Sequence, residues 1–210
     1  MNPEELRTTL AAHFRAPARQ DVIRAIAKLP NFFEGWFTAE TLFALQRRWP
    51  SAVLSSNTNH LGFRKPDVVF AYEGLTAILE LKHIATGHRD AQSRWDGAKD
   101  STVAKDIEAL RLVQAQDAKN ITRRVLVFYG PASPVAHSQG RTCERNRLLC
   151  LACSVQHLSS VLVSRGGEPV GDPAVEKLID DGTFFLLDIT PHVGRTTSVS
   201  DASVRKEKAT

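Results

Sequence analysis

A chain of 210 residues that is 42% hydrophobic and 24% charged has the composition of a soluble globular protein and can bury a sizeable core without a metal or disulfide staple. Its 27 Lys and Arg against 23 Asp and Glu give a net charge of +4, a mildly basic balance that tolerates a polyanionic partner without requiring one. Part of that excess lies in residues 195–210, where Arg195, Arg205, Lys206 and Lys208 face only Asp201 and Glu207.

The N-terminal stretch MNPEELRTT is polar and acidic rather than basic and then apolar, so no signal peptide is expected. With only three cysteines, an odd number, a reducing cytoplasm is the expected location. The most apolar stretch, LLCLACSV (148–155), is too short to cross a bilayer, and no membrane partner is expected.

In chain order, residues 3–15 and 19–28 read as helices divided by Pro17. A third helix is expected over 39–48, with Thr38 as its N-cap and Pro50 beyond its end. SAVLSS (51–56) reads as a short strand and NTNHLGFRK (57–65) as a polar loop. Strands follow at 67–72 and 76–83. Residues 84–100 form a long polar segment, a length that in compact domains marks a functional or mobile loop.

Val103, Ile107, Leu110 and Val113 recur at helical spacing. RRVLVFYG (123–130) reads as a buried strand, and residues 142–163 as a helix with Leu148, Leu151, Val155, Leu158 and Leu162 on one face. Asp172-Pro173 carries the chemistry of a short helix start, and TFFLLDIT (183–190) is the last strand. Residues 1–193 are thus expected to form a mixed α/β domain on a central sheet, and 194–210 a disordered tail.

The chemistry concentrates in KPDVVFAYEGLTAILELKHI (65–84), two apolar runs that meet at Glu73-Gly74. If those two residues form a hairpin turn, position 72 faces 75, and the same count brings Asp67 opposite Glu80. Their Cβ atoms would then lie about 5 Å apart. Lys82, two residues beyond Glu80, shares its face of the sheet. Two facing carboxylates repel unless a shared proton, a cation or a divalent metal offsets the repulsion. Oxygen ligands with open water positions suit Mg²⁺, and a lysine beside such an ion can orient an attacking water. Those are the parts that phosphodiester hydrolysis needs. A plain hairpin with a surface Glu–Lys pair and a solvated Asp67 accommodates the same residues.

Pro66-Asp67, followed after twelve residues by Glu80-Leu81-Lys82, resembles the PD-(D/E)XK nuclease superfamily, the restriction-endonuclease-like fold. The resemblance covers about residues 38–130. It implies an αβββαβ core, here with extra N-terminal and C-terminal helices around the central mixed β-sheet. By that resemblance Asp67 and Glu80 are metal-binding acids, the Leu81 carbonyl is a further ligand, and Lys82 positions the water. Family members often add an acid from the helix before the first strand, for which Glu40 in GWFTAETLFAL is the first candidate and Glu34 the second. An acid in the first turn of a helix is also favoured by the helix dipole alone.

Lys105 could reach a phosphate near the site or lie on a solvated helix face, and Asp106 reads as a helix N-terminal charge rather than a ligand. His88, Arg89, Arg94, Trp95 and Lys99 give the long loop basic groups with one aromatic, suited to gripping a nucleic-acid backbone. A merely solvated loop fits them equally. His83 should face the other side of the sheet and is not assigned to catalysis. Cys143, Cys150 and Cys153 fall one short of an iron–sulfur set and read as core residues.

The expectation is therefore a Mg²⁺- or Mn²⁺-dependent nuclease, with DNA a likelier partner than RNA. A homodimer is the simplest way for so small a chain to cut both strands. The alternative is a catalytically inactive protein of the same fold that binds nucleic acid or protein.

Overall fold

Proline opens each of the three N-terminal helices, where a missing N–H costs nothing. In the computed structural model, which describes residues 2–27, 29–56, 65–84, 102–112, 121–131 and 151–192, helix α1 spans Pro3–Arg15, α2 Pro17–Ile26 and α3 Pro30–Arg48. The Asn2 side chain caps α1 by accepting from the Glu5 N–H at 2.7 Å. Pro17 holds Ala16 in an extended conformation, ψ 134°, and so separates α1 from α2.

The third helix starts nine residues earlier than the expected 39. Thr38 is not its cap: the hydroxyl donates to the Glu34 carbonyl at 2.9 Å, one turn back inside the helix. The added turns carry Phe33 and Phe37, both fully buried, and that burial outweighs the local cap signal.

Six strands form one mixed sheet. They are β1 (Val53–Ser55), β2 (Val68–Tyr72), β3 (Leu75–Ile84), β4 (Ile121–Tyr129), β5 (Ala174–Lys177) and β6 (Phe185–Ile189). Their order is β1-β2-β3-β4-β6-β5. Only β3 and β4 run parallel, and the crossover between them contains α4 (Val103–Leu112). Helix α5 (Leu151–Ser164) follows β4.

Strand alternation divides the core. Leu79, Leu81, Leu126, Phe128 and Leu186 face α1–α3, while Ile78, Ile84, Val125, Val127 and Leu187 face α4 and α5. On the first face the Phe128 ring lies 4.7 Å from Phe33 and 5.4 Å from Phe37, so α3 is seated on β4 by aromatic contacts.

The helix expected after Asp172-Pro173 is instead β5. Its backbone pairs with β6, Ala174 opposite Asp188, and Val175 and Lys177 point outward from this edge. Ladder bonding along a neighbouring strand overrides the local cap signal. The expected tail (194–210), the loop at 85–101 and residues 142–150 lie outside the described residues. Among the described residues no helix is long and apolar enough to cross a membrane.

Between β4 and β6, Arg124 Nη1 donates to Asp188 Oδ2 at 2.8 Å with side chains 9% and 1% exposed. Burial pushes the Asp188 carboxyl up, and the neighbouring Arg124 and Arg7 guanidinium groups oppose it. Removing one partner of such a pair strands the other. Arg124→Met is therefore expected to cost about 3 kcal/mol, whereas Arg124→Met with Asp188→Leu recovers most of it. Denaturant melts of the three proteins check this, and a double variant as unstable as the single one contradicts it.

Candidate functional site

The turn at Glu73-Gly74 sets the geometry of the site. Both residues have positive φ, 47° and 77°, the signature of a two-residue turn that continues the twist of its strands. Gly74 meets nothing within 4 Å of a notional Cβ, so it is backbone conformation rather than space that calls for glycine there. Tyr72 pairs with Leu75, and the register runs back to Val68 opposite Leu79. One step further, Asp67 stands across from Glu80.

The paired register ends at Val68 opposite Leu79. Pro66, just before it, has no N–H to give to a ladder. The Leu81 N–H is taken by Asp67, whose Oδ2 accepts it at 2.8 Å. Asp67 thus takes up the Leu81 N–H just beyond the end of the β2–β3 ladder.

Glu80 and Lys82 lie on the α4 face with Ile78 and Ile84, only 6% and 7% exposed. Helix α4 brings a third acid: Asp106 Oδ2 is 3.2 Å from Lys82 Nζ. Burial, then the charges of Asp67 and Asp106, pushes the Glu80 carboxyl up to about 9, against the pull of Lys82. A hydrogen bond with Asp67 acts in the same direction. Burial also raises Asp106, to about 6, with Lys82 opposing and Asp67 and Glu34 adding to the rise. For Lys82 burial works to lower the pKa, but Asp106, Asp67 and Glu80 outweigh it and the group is raised. Lys82 is a protonated ammonium here.

The acid expected from the preceding helix is placed differently from the first candidate. Glu40 Oε2 takes a 2.7 Å contact from His13 Nε2 and a 2.8 Å contact from Arg19 Nε, on the side of α3 that meets α1 and α2. Six residues on a helix turn through about 600°, which sends positions 34 and 40 in directions about 120° apart. Glu34 is the α3 acid whose charge reaches Asp106.

His83 faces the opposite layer, stacked on Phe33 with centroids 3.8 Å apart at 16°. Lys105 sits half-buried in the first turn of α4, its N–H donating to Thr102 Oγ1 at 3.3 Å. His88, Arg89, Arg94, Trp95 and Lys99 lie outside the described residues, as do Cys143 and Cys150.

Asp106 is the member of the cluster that sequence reasoning assigned to the helix dipole. A signal for it exists. It falls three residues after Val103 and four before Leu110, both fully buried, so it lies on the packed stripe of α4 rather than the solvent side. A charge on that stripe needs a partner, and Lys82 is the partner.

The raised Glu80 has a consequence for stability in the absence of metal. The group is ionised above 4.5 in the unfolded chain but holds its proton to about 9 in the folded one. Through that window the folded state binds the extra proton, so stability falls as pH rises. Glu80→Gln, which mimics the protonated acid, is expected to raise the Tm in EDTA near pH 8 by about 2–4 °C or more. The gain should shrink toward about pH 5. A gain of equal size at both pH values, or a loss near pH 8, contradicts the burial argument.

Comparison of the chain with protein-family models, with curated proteins and with solved structures gives no match in any of the three.

Proposed function

We propose that this chain is a metal-dependent nuclease that hydrolyses phosphodiester bonds, with DNA as the substrate class and Mg²⁺ or Mn²⁺ as the cofactor. The observation that carries the reading is the placement of Asp67 and Glu80. They are neighbouring acids, one just before β2 and one on β3, and burial, then the charges of Asp67 and Asp106, pushes Glu80 to about 9 against the pull of Lys82. Further support comes from the order of elements from α3 to β4, helix, three strands, helix, strand. That order follows the αβββαβ core of the PD-(D/E)XK superfamily, with Pro66-Asp67 and Glu80-Leu81-Lys82 at the hairpin.

The donor set suits a hard divalent cation. Among the described residues no group of three or more His, Cys, Asp or Glu side chains is placed to hold a metal ion. Two carboxylates are what Mg²⁺ takes from a protein when water and phosphate complete its shell. Asp67 and Glu80 would hold the ion, and the Leu81 carbonyl would add a third oxygen, as the family resemblance implies. Bound there, the ion supplies charge neutralisation at the phosphate and a more acidic water.

The remaining roles fall to the chain. The Lys82 ammonium donates hydrogen bonds, orienting the attacking water or a phosphate oxygen. The apolar layer of Ile78, Ile84, Val103 and Ile107, all fully buried, keeps bulk water from the floor of the site and strengthens each charge interaction there.

Purified protein incubated with single-stranded, double-stranded and branched DNA, and with RNA, is expected to cleave at least one DNA form with Mg²⁺ and none in EDTA. Lys82→Ala should lose about 100-fold or more of that rate. Equal cleavage by wild type and Lys82→Ala would assign the activity to a contaminant. Mg²⁺ or Mn²⁺ should also raise the Tm of the wild type by mass action. Asp67→Ala should abolish the rise, and no rise in the wild type defeats the shared metal site.

A further inference from the structure

Among the described residues, the α4 face of the sheet gathers three carboxylates, Asp67, Glu80 and Asp106, around the Lys82 ammonium. Acids lie in two directions from Lys82 among the described residues. Along its own strand, Glu80 lies two residues back on the same face, with Asp67 opposite. Across the layer, Asp106 projects from α4. The flexible four-carbon stem of a lysine serves either, and the structure places Nζ 3.2 Å from Asp106 Oδ2.

Asp106 is the more rigid of the two groups. Its backbone N–H donates to the Thr102 carbonyl at 3.0 Å, closing the first turn of α4. Val103, Ile107 and Leu110 on either side are fully buried. At 14% exposure its carboxylate needs a cation close by. The contact brings the two opposite charges together away from bulk water. It also has a consequence for the other two acids: an ammonium lodged between Asp67 and Glu80 would neutralise them and repel any second cation.

We propose that Asp106 is a positioning residue that holds the Lys82 ammonium off the Asp67–Glu80 pair and so keeps that pair open to a divalent cation. The inference rests on the reading of Asp67 and Glu80 as a metal site, and it concerns affinity rather than turnover. It differs from a ligand role, in which Asp106 would touch the ion itself. It differs equally from a packing role, in which the ion pair only joins α4 to β3.

A double-mutant cycle on Mn²⁺ affinity separates these. The metal-stripped full chain is titrated with Mn²⁺, free ion being read by electron paramagnetic resonance. The four proteins are wild type, Asp106→Asn, Lys82→Met and the double variant, each checked for cooperative melting in EDTA. Asp106→Asn is expected to weaken Mn²⁺ by about tenfold or more, because Lys82 then turns to the acids. In the Lys82→Met background the same substitution should change the affinity by less than about threefold.

Equal losses in both backgrounds would make Asp106 a direct ligand and overturn the proposal. Unchanged affinity in both would reduce the ion pair to packing and overturn it as well. If the wild type itself takes up no Mn²⁺, the metal reading fails first and this inference falls with it. Should Asp106→Asn not melt cooperatively, Asp106→Ser is the second single variant, with the same losses expected in each background.

Discussion

The two-residue turn at Glu73-Gly74 is the constraint on which the rest of this arrangement depends. Side chains alternate along a strand, so the length of the turn decides which residues of β2 share a face with which residues of β3. With 72 against 75, Asp67 and Glu80 fall opposite each other. An odd-length turn would send Asp67 to the other face, into the aromatic layer of Phe33, Phe37 and Phe128. The positive φ of both turn residues is thus more than a local preference. It is the condition under which three charged residues of one hairpin meet on one side of the sheet.

The sheet makes that meeting consequential, because β3 is covered on both faces. Its outward row from Ala77 to Leu81 packs against α1–α3, and its other row against α4 and α5. A carboxylate on an edge strand would keep its water and its ordinary pKa. Glu80 on this central strand does not, and burial is the first cause of its shift to about 9. The same burial makes the Lys82–Asp106 pair matter, since opposite charges attract far more strongly away from bulk water. The other ion pairs at Arg24 and Arg48 lie on the surface, with side chains about half exposed, and contribute little to stability.

What the sequence discloses follows the reach of each interaction. The hairpin is legible because its information is local: a turn dipeptide, two apolar runs and an even count between the acids. The crossover from β3 through α4 to β4 is legible for a similar reason, since periodicity changes from two to about 3.6 residues along the chain. Glu34 is not legible, because its place depends on where α3 begins. Thr38 reads as a cap, yet its hydroxyl is spent on Glu34's carbonyl and the helix runs on from Pro30, anchored by aromatic contacts to β4 across the sheet. Choosing between Glu34 and Glu40 needs the helix's rotation about its axis, which is fixed by Phe33 and Phe37 entering the core. β5 is hidden in the same way: Ala174–Lys177 becomes a strand because β6 offers it an edge.

Asp106 stands between these cases. Its position on the packed stripe of α4 is readable from spacing, but its partner lies across a long connection whose closure no local pattern reports. Its neighbours in space explain why such a costly arrangement persists. Among the described residues Lys82 faces three carboxylates, of which Glu80 is buried and Asp67 and Asp106 are partly so, and its ammonium stands 3.2 Å from Asp106. Burial raises Glu80 from 4.5 to about 9, so between those values the site works against the stability of the fold as pH rises. Sites where a fold tolerates such a cost are where a ligand of the missing charge is best received. On the proposed reading the missing charge is positive and the ligands are the oxygens of Asp67 and Glu80. The turn, the ladder end and the crossover helix come from different parts of the chain, and together they bring Asp67, Glu80 and Asp106 around Lys82.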